Sequence, residues 1–509
     1  MNQANRLITN TAATYGRMVL TVGIGLVTTR LVYTTLGEVD YGIFTVLGGG
    51  LSLIMILSTA LAASAQRHLA FEIGRGDQQA LREVFCTSVA IYLGLGLIIA
   101  GLGLGLRPVF LHGLTIPDDR QYAAAWVYDL SLFNLSVSVL VTPFLAVFIA
   151  RQALVQDAIF GIVASTTGLL AILLTPWVHD DALIGYIILF IAAGLFLKAL
   201  QIIRGLLLFP ETRFRPRYLR KNRVRELVGF AGWSFLGAIT WQGRIQGGNI
   251  LINVFFGPAV NASYAIATQV IAYMNNFSGA ITNAARPAIA SIEGAGKRSQ
   301  TQRLALTVSK LTVFGSCFVA IPLMFEPAVI LSLWLGRVPP YADSFIPIMM
   351  AWVIGTQVVV GHLIALAATG KIGRVTRYTF WIGILPIPLG YCVFKFTSAT
   401  PPYLSVCTLA ITLILTCFHT NMIGRIVQIP VANWVVHVLK PISAVICFTV
   451  CINLLWEQLI GVSGLWTLGA FILINSASLA LGVTRFGLNQ EERLFFKGFI
   501  SKIGSKLKS

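Results

Sequence analysis

The residues best equipped for chemistry here are arginines and carboxamides set inside apolar runs. The stretch "TYGRMVLTVGIGLVTTRLVY" (Thr14 to Tyr33) carries Arg17 and Arg30. An arginine near a bilayer centre costs about 2.5–3.5 kcal/mol on insertion scales, so it stays only where protein or water receives it. At a helical period of 100° per residue, Asn10, Thr14, Arg17, Thr21 and Thr28 fall on one narrow face. Arg30 lies about 200° away near the end of the run, where it can reach the headgroups or the acids Glu38 and Asp40. Further along, Gln242, Gln246, Asn249 and Asn253 recur at i, i+4, i+7 and i+11. Thr268, Asn275, Thr282 and Arg286 form a similar series, flanked by Gln269, Asn276 and Asn283. Thr45, Ser52, Thr59 and Ala63 share a face with Gln66 at its edge, and Ser131, Asn134, Ser138 and Thr142 make a milder stripe.

Lipid cannot satisfy such groups, so these faces point at protein or at water. For the Ser and Thr positions, hydrogen bonding within the helix bundle is sufficient reason. For Arg17, Arg286 and the Asn/Gln positions a wet cavity is the better reading, because acids to pair the arginines are scarce. Of 19 acidic residues only Asp129 and Glu326 fall plausibly within the membrane. Surplus guanidinium in a cavity suits an anionic ligand, since it binds phosphate in bidentate fashion. Arg244 sits about 200° around its helix from the Gln/Asn stripe, beside Gly237, Thr240, Gly247 and Gly248. Either the Gly-Gly pair bends the helix there, or Arg244 faces another helix or the headgroups.

Elements of a particular kind must position these residues. The chain has 509 residues, 56% hydrophobic and only 11% charged, with mean hydropathy +0.80. Soluble domains carry about 25% charged residues, so this is an all-α polytopic membrane protein. Apolar runs near 7–34, 41–66, 84–111, 122–150, 158–178, 183–209, 228–256, 263–291, 305–335, 342–369, 376–396, 403–424, 438–456 and 464–484 make about fourteen spans of bilayer length. The first run follows Met1 directly, and no cleavage site follows a short apolar region, so the first helix reads as uncleaved.

Basic residues gather in alternate connections: Arg67, Arg75 and Arg82; Arg151; Arg213 to Arg225; Lys297, Arg298 and Arg303; Lys371, Arg374 and Arg377; Arg425; and the tail from Arg485 to Lys508. The positive-inside rule places these, with both termini, in the cytoplasm. The net charge of +18 therefore reports topology and not a nucleic-acid partner. The basic amphipathic tail suits the anionic inner leaflet, and membrane lipids are the partners it implies. At an offset of 220, Gly37 matches Gly257, Ser58 matches Ser278, Ala60 matches Ala280, Ala65 matches Ala285, Gly74 matches Gly294 and Gly76 matches Gly296. That suggests a parallel repeat of two six-span lobes. The expected organisation is 1–209 (first lobe), 210–227 (basic cytoplasmic linker), 228–427 (second lobe), 428–485 (two further spans) and 486–509 (tail).

Several chemistries lack their residues. "EGAGKRSQ" and "AATGKIG" miss the spacing and the Ser/Thr of a phosphate-binding loop, so no ATP site or other cofactor is expected. "GLGLIIAGLGLGL" (Gly94 to Leu106) is the interior of a span, where glycine serves helix packing. The histidines His68, His112, His179, His362, His419 and His437 have no metal-ligand spacing, and the seven cysteines form no disulfide framework, so no metal is expected. Neither a carboxylate pair for glycosyl transfer nor a Ser-His-Asp set stands out. A membrane polymerase or ligase would want a sizeable outer loop, and none is present, so the reading is a transporter and no enzyme.

"RLVYTTLGEVDYGIFTVLGGG" (Arg30 to Gly50) and "AQRHLAFEIGRGD" (Ala65 to Asp77) resemble the first spans of Wzx-type polysaccharide flippases of the multidrug/oligosaccharidyl-lipid/polysaccharide (MOP) exporter superfamily. "IPDDRQYAAAWVYDLSL" (Ile116 to Leu132), "RIQGGNILINVFFGPAVNASYAIATQV" (Arg244 to Val270) and "LWLGRVPPY" (Leu333 to Tyr341) resemble later segments of the same family. The likeness keeps its order over most of residues 6–380. It implies two six-helix lobes with spans one, two, seven and eight lining a cationic cavity, plus two C-terminal spans. It implies movement of undecaprenyl-pyrophosphate-linked oligosaccharide between leaflets of the bacterial cytoplasmic membrane by alternating access, by a monomer acting beside a glycan polymerase and chain-length proteins in surface polysaccharide (O-antigen) synthesis. Arg17 and Arg286 sit where the family places cavity cations, although Arg286, in "TNAARPAIAS", rests on its stripe. A cation-coupled multidrug exporter of the same superfamily is the alternative; it would want acids where this chain has arginines.

Overall fold

The computed structural model describes residues 3–52, 55–151, 153–462, 464–490 and 492–493, with the side chains of 3–19 and of some later helical positions outside the described set. Among the described residues all regular structure is helical, as a chain without hydrogen-bonding solvent requires. The order is α1 (Gln3–Ser52), α2 (Ile56–Arg75), α3 (Gln78–Gly113), α4 (Gln121–Ala150), α5 (Leu154–Leu174), α6 (Ala182–Leu208), α7 (Lys221–Gly294), α8 (Arg298–Phe325), α9 (Pro327–Leu335), α10 (Ala342–Gln357), α11 (Val360–Thr369), α12 (Gly373–Ile384), α13 (Pro386–Phe396), α14 (Tyr403–Val427), α15 (Val431–Trp434), α16 (Lys440–Leu459) and α17 (Leu465–Gly482). Twelve helical segments among the described residues are long and apolar enough to cross a membrane. Two of them, Leu20–Leu51 and Phe235–Asn275, each run through a bend, which makes the count compatible with the expected fourteen.

The bends make the repeat physical. α1 breaks at Gly37 (φ 79, ψ 177) and α7 at Gly257 (φ 82, ψ 177), a backbone region essentially confined to glycine. Gly76 and Gly296, again 220 apart, both end helices at φ near +72 (73 and 71). The following elements keep the offset: α3 begins at Gln78 and α8 at Arg298, α4 corresponds to α10 with α11, α5 to α12 with α13, and α6 to α14. The second copy is more broken than the first, at Glu326-Pro327 and Leu385-Pro386, where proline cannot continue the ladder.

The chain forms two compact units, Met1–Ala265 with Ile387–Pro401, and Ile266–Pro386 with Pro402–Ser509. α7 therefore contributes its first arm, and the start of the second as far as Ala265, to one unit and the rest to the other. In the first unit α4 packs against α1, α2, α3 and α6, with Leu69, Phe85 and Val147 fully buried between them. In the second, α8, α10, α11 and α14 pack on one another, and α16 and α17 add to the side of α8. Asn453 Nδ2 donates to Asn475 Oδ1 at 2.8 Å between α16 and α17, both buried, a polar pin in an otherwise apolar pair.

Ion pairs fasten the ends of the first unit. Arg120, before α4, forks onto Asp40 of α1 (2.7 Å from Nε) and Asp181 before α6 (2.6 Å from Nη1). Asp40 is thus held by Arg120, and Glu38 accepts from the Tyr33 hydroxyl at 3.0 Å. Asp181 also caps α6 through the Leu183 and Ile184 N–H groups. Burial pushes its carboxyl up, but Arg120 and the cap outweigh that and hold it below its ordinary value. The basic segment after α6 is docked: buried Glu211 accepts from Arg151 (2.9 Å from Nε), Arg220 reaches Glu83 at 3.1 Å, Arg223 reaches buried Glu72 at 3.0 Å, and Ser64 donates to the Leu227 carbonyl at 2.8 Å.

Just beyond α17, Asn489 and Glu492 exchange backbone-to-side-chain hydrogen bonds in a capping box. Glu492 then accepts from Thr307 and from Lys310, a buried lysine of α8, each at 2.7 Å. Burial raises the Glu492 carboxyl, yet Lys310, Thr307 and the Asn489 N–H lower it more, so its folded value lies below the ordinary one of 4.5. The expected inner-leaflet segment 494–509 lies outside the described residues.

Gly257→Ala should cost about 1–3 kcal/mol for the strained φ, read as a lower melting temperature in detergent, with Gly37→Ala costing a similar amount. A depressed folded value means the Glu492 contribution is complete above pH 4.5 and fades as pH falls further. Glu492→Gln should therefore lower stability by about 3 kcal/mol at neutral pH, and the gap from wild type should narrow in melts taken at decreasing pH below 4.5.

Candidate functional site

The polar stripe on the first arm of α7 is the best-defined cluster among the expected site residues. Its helical spacing sets four carboxamides on one face. Asn249 Nδ2 donates to Gln246 Oε1 at 3.0 Å, and Asn249 is buried. Gln246 lies directly on the backbone of α1 at Gly49, where a Cβ would come within 2.2 Å of its Oε1. Gln242, one turn back, is half-buried. Asn253 acts differently. Fully buried, its Oδ1 accepts from the Thr115 N–H at 3.0 Å, while Thr115 Oγ1 donates to the Val254 carbonyl at 3.1 Å. It pins the connection after α3. The stripe thus divides into a pair poised at the α1 backbone and a structural anchor.

Arg244 now has a place. It is 6% exposed, its guanidinium carbon lies 5.9 Å from the Trp241 ring centre, and it interacts electrostatically with Tyr264 beyond the bend. The Tyr264 hydroxyl rests against Gly248, where a Cβ would come within 2.3 Å. Arg244 therefore faces the interior of the first unit, flanked by both sides of the Gly257 bend; the helix bends at Gly257 and not at the Gly247-Gly248 pair.

Of the other expected residues, Thr21 and Gln66 are partly buried in the first unit. Arg17 lies on α1 with its side chain outside the described set. Asn275 and Arg286 belong to the second unit: Gln357 Nε2 approaches Asn275 Oδ1 at 3.5 Å, and Arg286 is exposed on the second arm of α7. The Ser/Thr stripes mostly close on their own helices. Thr28 donates to the Ile24 carbonyl at 2.8 Å, Thr45 to Tyr41 at 2.9 Å and Ser138 to Asn134 at 2.6 Å, the back-bonding common to these residues.

Three residues escaped the periodicity. Asn261 donates to the Gly42 carbonyl at 3.1 Å and to Thr45 Oγ1 at 3.4 Å. Lys198, midway along α6, donates to Asn134 Oδ1 at 2.5 Å; a lone lysine within "LFLKALQ" is the signal that would have found it. Arg107 binds Asp129 in bidentate fashion at 2.8 and 2.9 Å, which commits one of the two intramembrane acids. The other, Glu326, lies just past α8. Among the described residues no group of three or more His, Cys, Asp or Glu is placed to hold a metal.

The family model described as "Polysaccharide biosynthesis protein" matches residues 182–337. No curated protein sequence matches the chain. A multidrug-resistance MATE transporter of the MOP superfamily, in an inward-facing conformation, superposes with a TM-score of 0.68 at 11% identity, covering 82% of this chain and 98% of its own. The fold is that of the MOP transporters. A MOP transporter from Pyrococcus furiosus, described as having a binding pocket of reversed polarity, gives 0.61 at 10% identity over 82% of this chain and 95% of its own. The lipid II flippase MurJ, in an inward closed conformation, gives 0.71 at 12% identity over 97% of this chain and 100% of its own. The two coverages of this chain differ by about the size of the segment that follows α14, α15 to α17 included. The MOP fold and the polysaccharide family model both support the sequence resemblance.

The division of the stripe can be measured. Asn253→Ala strips the Thr115 N–H of its acceptor and should cost about 1–3 kcal/mol, visible as a lower melting temperature. Gln242→Ala, at a half-buried position, should leave the melt within about 0.5 kcal/mol of wild type.

Proposed function

We propose that this chain is a flippase that carries an undecaprenyl-pyrophosphate-linked oligosaccharide from the inner to the outer leaflet of the bacterial cytoplasmic membrane, by alternating access, for surface polysaccharide assembly. The observation that carries the proposal is coverage: a lipid II flippase structure matches 97% of the chain and the multidrug MATE transporter 82%, and a family model described as a polysaccharide biosynthesis protein matches residues 182–337. A lipid-linked substrate gives the helices after α14 a purpose that a small soluble substrate would not. The charge supports the same reading. Arg17 and Arg286, with Gln242, Gln246, Asn249 and Asn275, are the residues assigned to the pyrophosphate and its first sugars, because guanidinium and carboxamide donors match phosphate oxygens.

In this reading the basic connections and both termini face the cytoplasm, residues 1–209 and 228–427 act as the two lobes, and the protein works as a monomer beside a glycan polymerase and chain-length proteins. The MATE likeness keeps a cation-coupled drug exporter as the second reading. Against it, Asp129 is held by Arg107, and the candidate residues are cationic or neutral.

Arg17→Ala should reduce surface glycan by at least about tenfold, the factor set by 1.4 kcal/mol of lost binding, while membrane insertion stays normal and lipid-linked oligosaccharide builds up inside. Arg17→Lys should recover part of the export. Full export by Arg17→Ala would remove that residue from the site, and accumulation of cationic dyes in cells lacking the protein would favour the second reading.

A further inference from the structure

The second unit holds a buried histidine of its own. His362, on α11, is fully buried, and neither ring nitrogen has a hydrogen-bond partner among the described residues. A neutral imidazole carries one donor and one acceptor, and burying both without partners is costly. Elsewhere in this chain helical histidines pair with the carbonyl four residues back: His68 Nδ1 with Ser64 at 2.9 Å and His437 Nδ1 with Asn433 at 2.9 Å. For His362 that carbonyl belongs to Val358, and it is taken by Trp434 Nε1 at 3.3 Å. The helix is broken there, between α10 and α11 at Val358-Val359, in the middle of a membrane-length segment, Ala342–Thr369. The break is built: Thr416 Oγ1 of α14 donates to the Gly355 carbonyl at 3.2 Å. Next to His362, Gly361 is pressed onto α8, its N–H donating to Ser309 Oγ at 3.0 Å, and a Cβ there would strike the Ala305 carbonyl. The ring is fixed in position and denied its usual partner.

A second buried histidine lies close by. His419 of α14 is 5% exposed, its Nε2 is 2.7 Å from Thr379 Oγ1 of α12, and α14 packs against α11, which carries His362. Among the described residues no other charged group acts on either ring. On the elements packed around the pair, Lys310 of α8 is committed to Glu492 and Tyr378 of α12 stacks on Phe418. Arg374, Arg377, Arg425 and Asp343 are exposed. Two imidazoles and a hydroxyl without a carboxylate do not make a metal site, but they suit a single proton. Repulsion disfavours a second positive charge once the pair holds one.

We propose that His362, with His419 and Thr379, forms a proton-binding site within the second unit, and that this proton is the coupling ion of the transport proposed above, on which the coupling role rests. The proton comes from water on one side of the membrane, binds an imidazole nitrogen, and leaves to water on the other side; no other bond changes.

Two measurements on the full chain test this separately. With 15N-labelled histidine in nanodiscs, His362 and His419 should both titrate between about pH 4 and 8, and His419→Gln should raise the His362 midpoint by relieving repulsion. Two rings that stay neutral throughout, or a His362 midpoint unmoved by His419→Gln, would overturn the site whatever the substrate. In proteoliposomes loaded with lipid-linked oligosaccharide from the host, a one-proton exchanger should shift the leaflet ratio about tenfold per pH unit of imposed gradient. His362→Gln should still equilibrate the lipid but show no gradient-dependent shift. A tenfold shift retained in His362→Gln would overturn the coupling role. Failure of the wild type to move any lipid-linked sugar would instead count against the flippase reading and, with it, the coupling role, leaving the titration to decide the proton site.

Discussion

Hydrocarbon offers no hydrogen bonds, and that absence governs the whole structure. Each backbone polar group within a span has to be satisfied by the chain itself, so helices are compulsory and every interruption needs a local remedy. The interruptions here have one. Glycine carries the bends at Gly37 and Gly257. At Val358 the Trp434 indole serves a freed carbonyl, and the α14 hydroxyl of Thr416 serves the nearby Gly355 carbonyl. The same constraint explains why Ser and Thr so often return to their own helix, as Thr28, Thr45 and Ser138 do.

Much of the architecture was readable from the sequence because membrane spans have a strong signature: length, apolarity and charge at the ends. The 220-residue offset could be read from a few glycines and alanines, and the backbone turns two of those pairs into matching φ angles. The bends within α1 and α7 were not readable as continuations of one helix. A glycine between apolar runs signals a break without saying whether the helical ladder resumes at once. The breaks in α8–α9 and α12–α13 follow from Pro327 and Pro386, whereas the one at Val358-Val359 has no local signal, since it depends on Trp434 and α14, far away in the chain.

For the candidate site, legibility differs by residue. Periodicity gathers Gln242, Gln246, Asn249 and Asn253 on one face, but it cannot separate a carboxamide that pins a loop from one that lies beside a neighbouring helix. Only Thr115 distinguishes Asn253. Arg244 was ambiguous because its neighbours lie on the far side of a bend the sequence only hinted at. Asp129 looked available in the sequence, yet Arg107 lies across from it. His362 and His419 have no spacing that betrays them. Their closeness is purely tertiary.

The continuity of α7 has one more consequence. A duplicated protein is often imagined as two modules joined by a connector, here the basic stretch after α6. Yet the first compact unit includes the chain up to Ala265 and recruits Ile387–Pro401 from much further on. Severing the polypeptide at the connector would leave an N-terminal fragment missing one long helical arm and a distant short helix, both supplied by its complement. The halves of the 220-residue repeat therefore do not coincide with the compact units into which the chain packs.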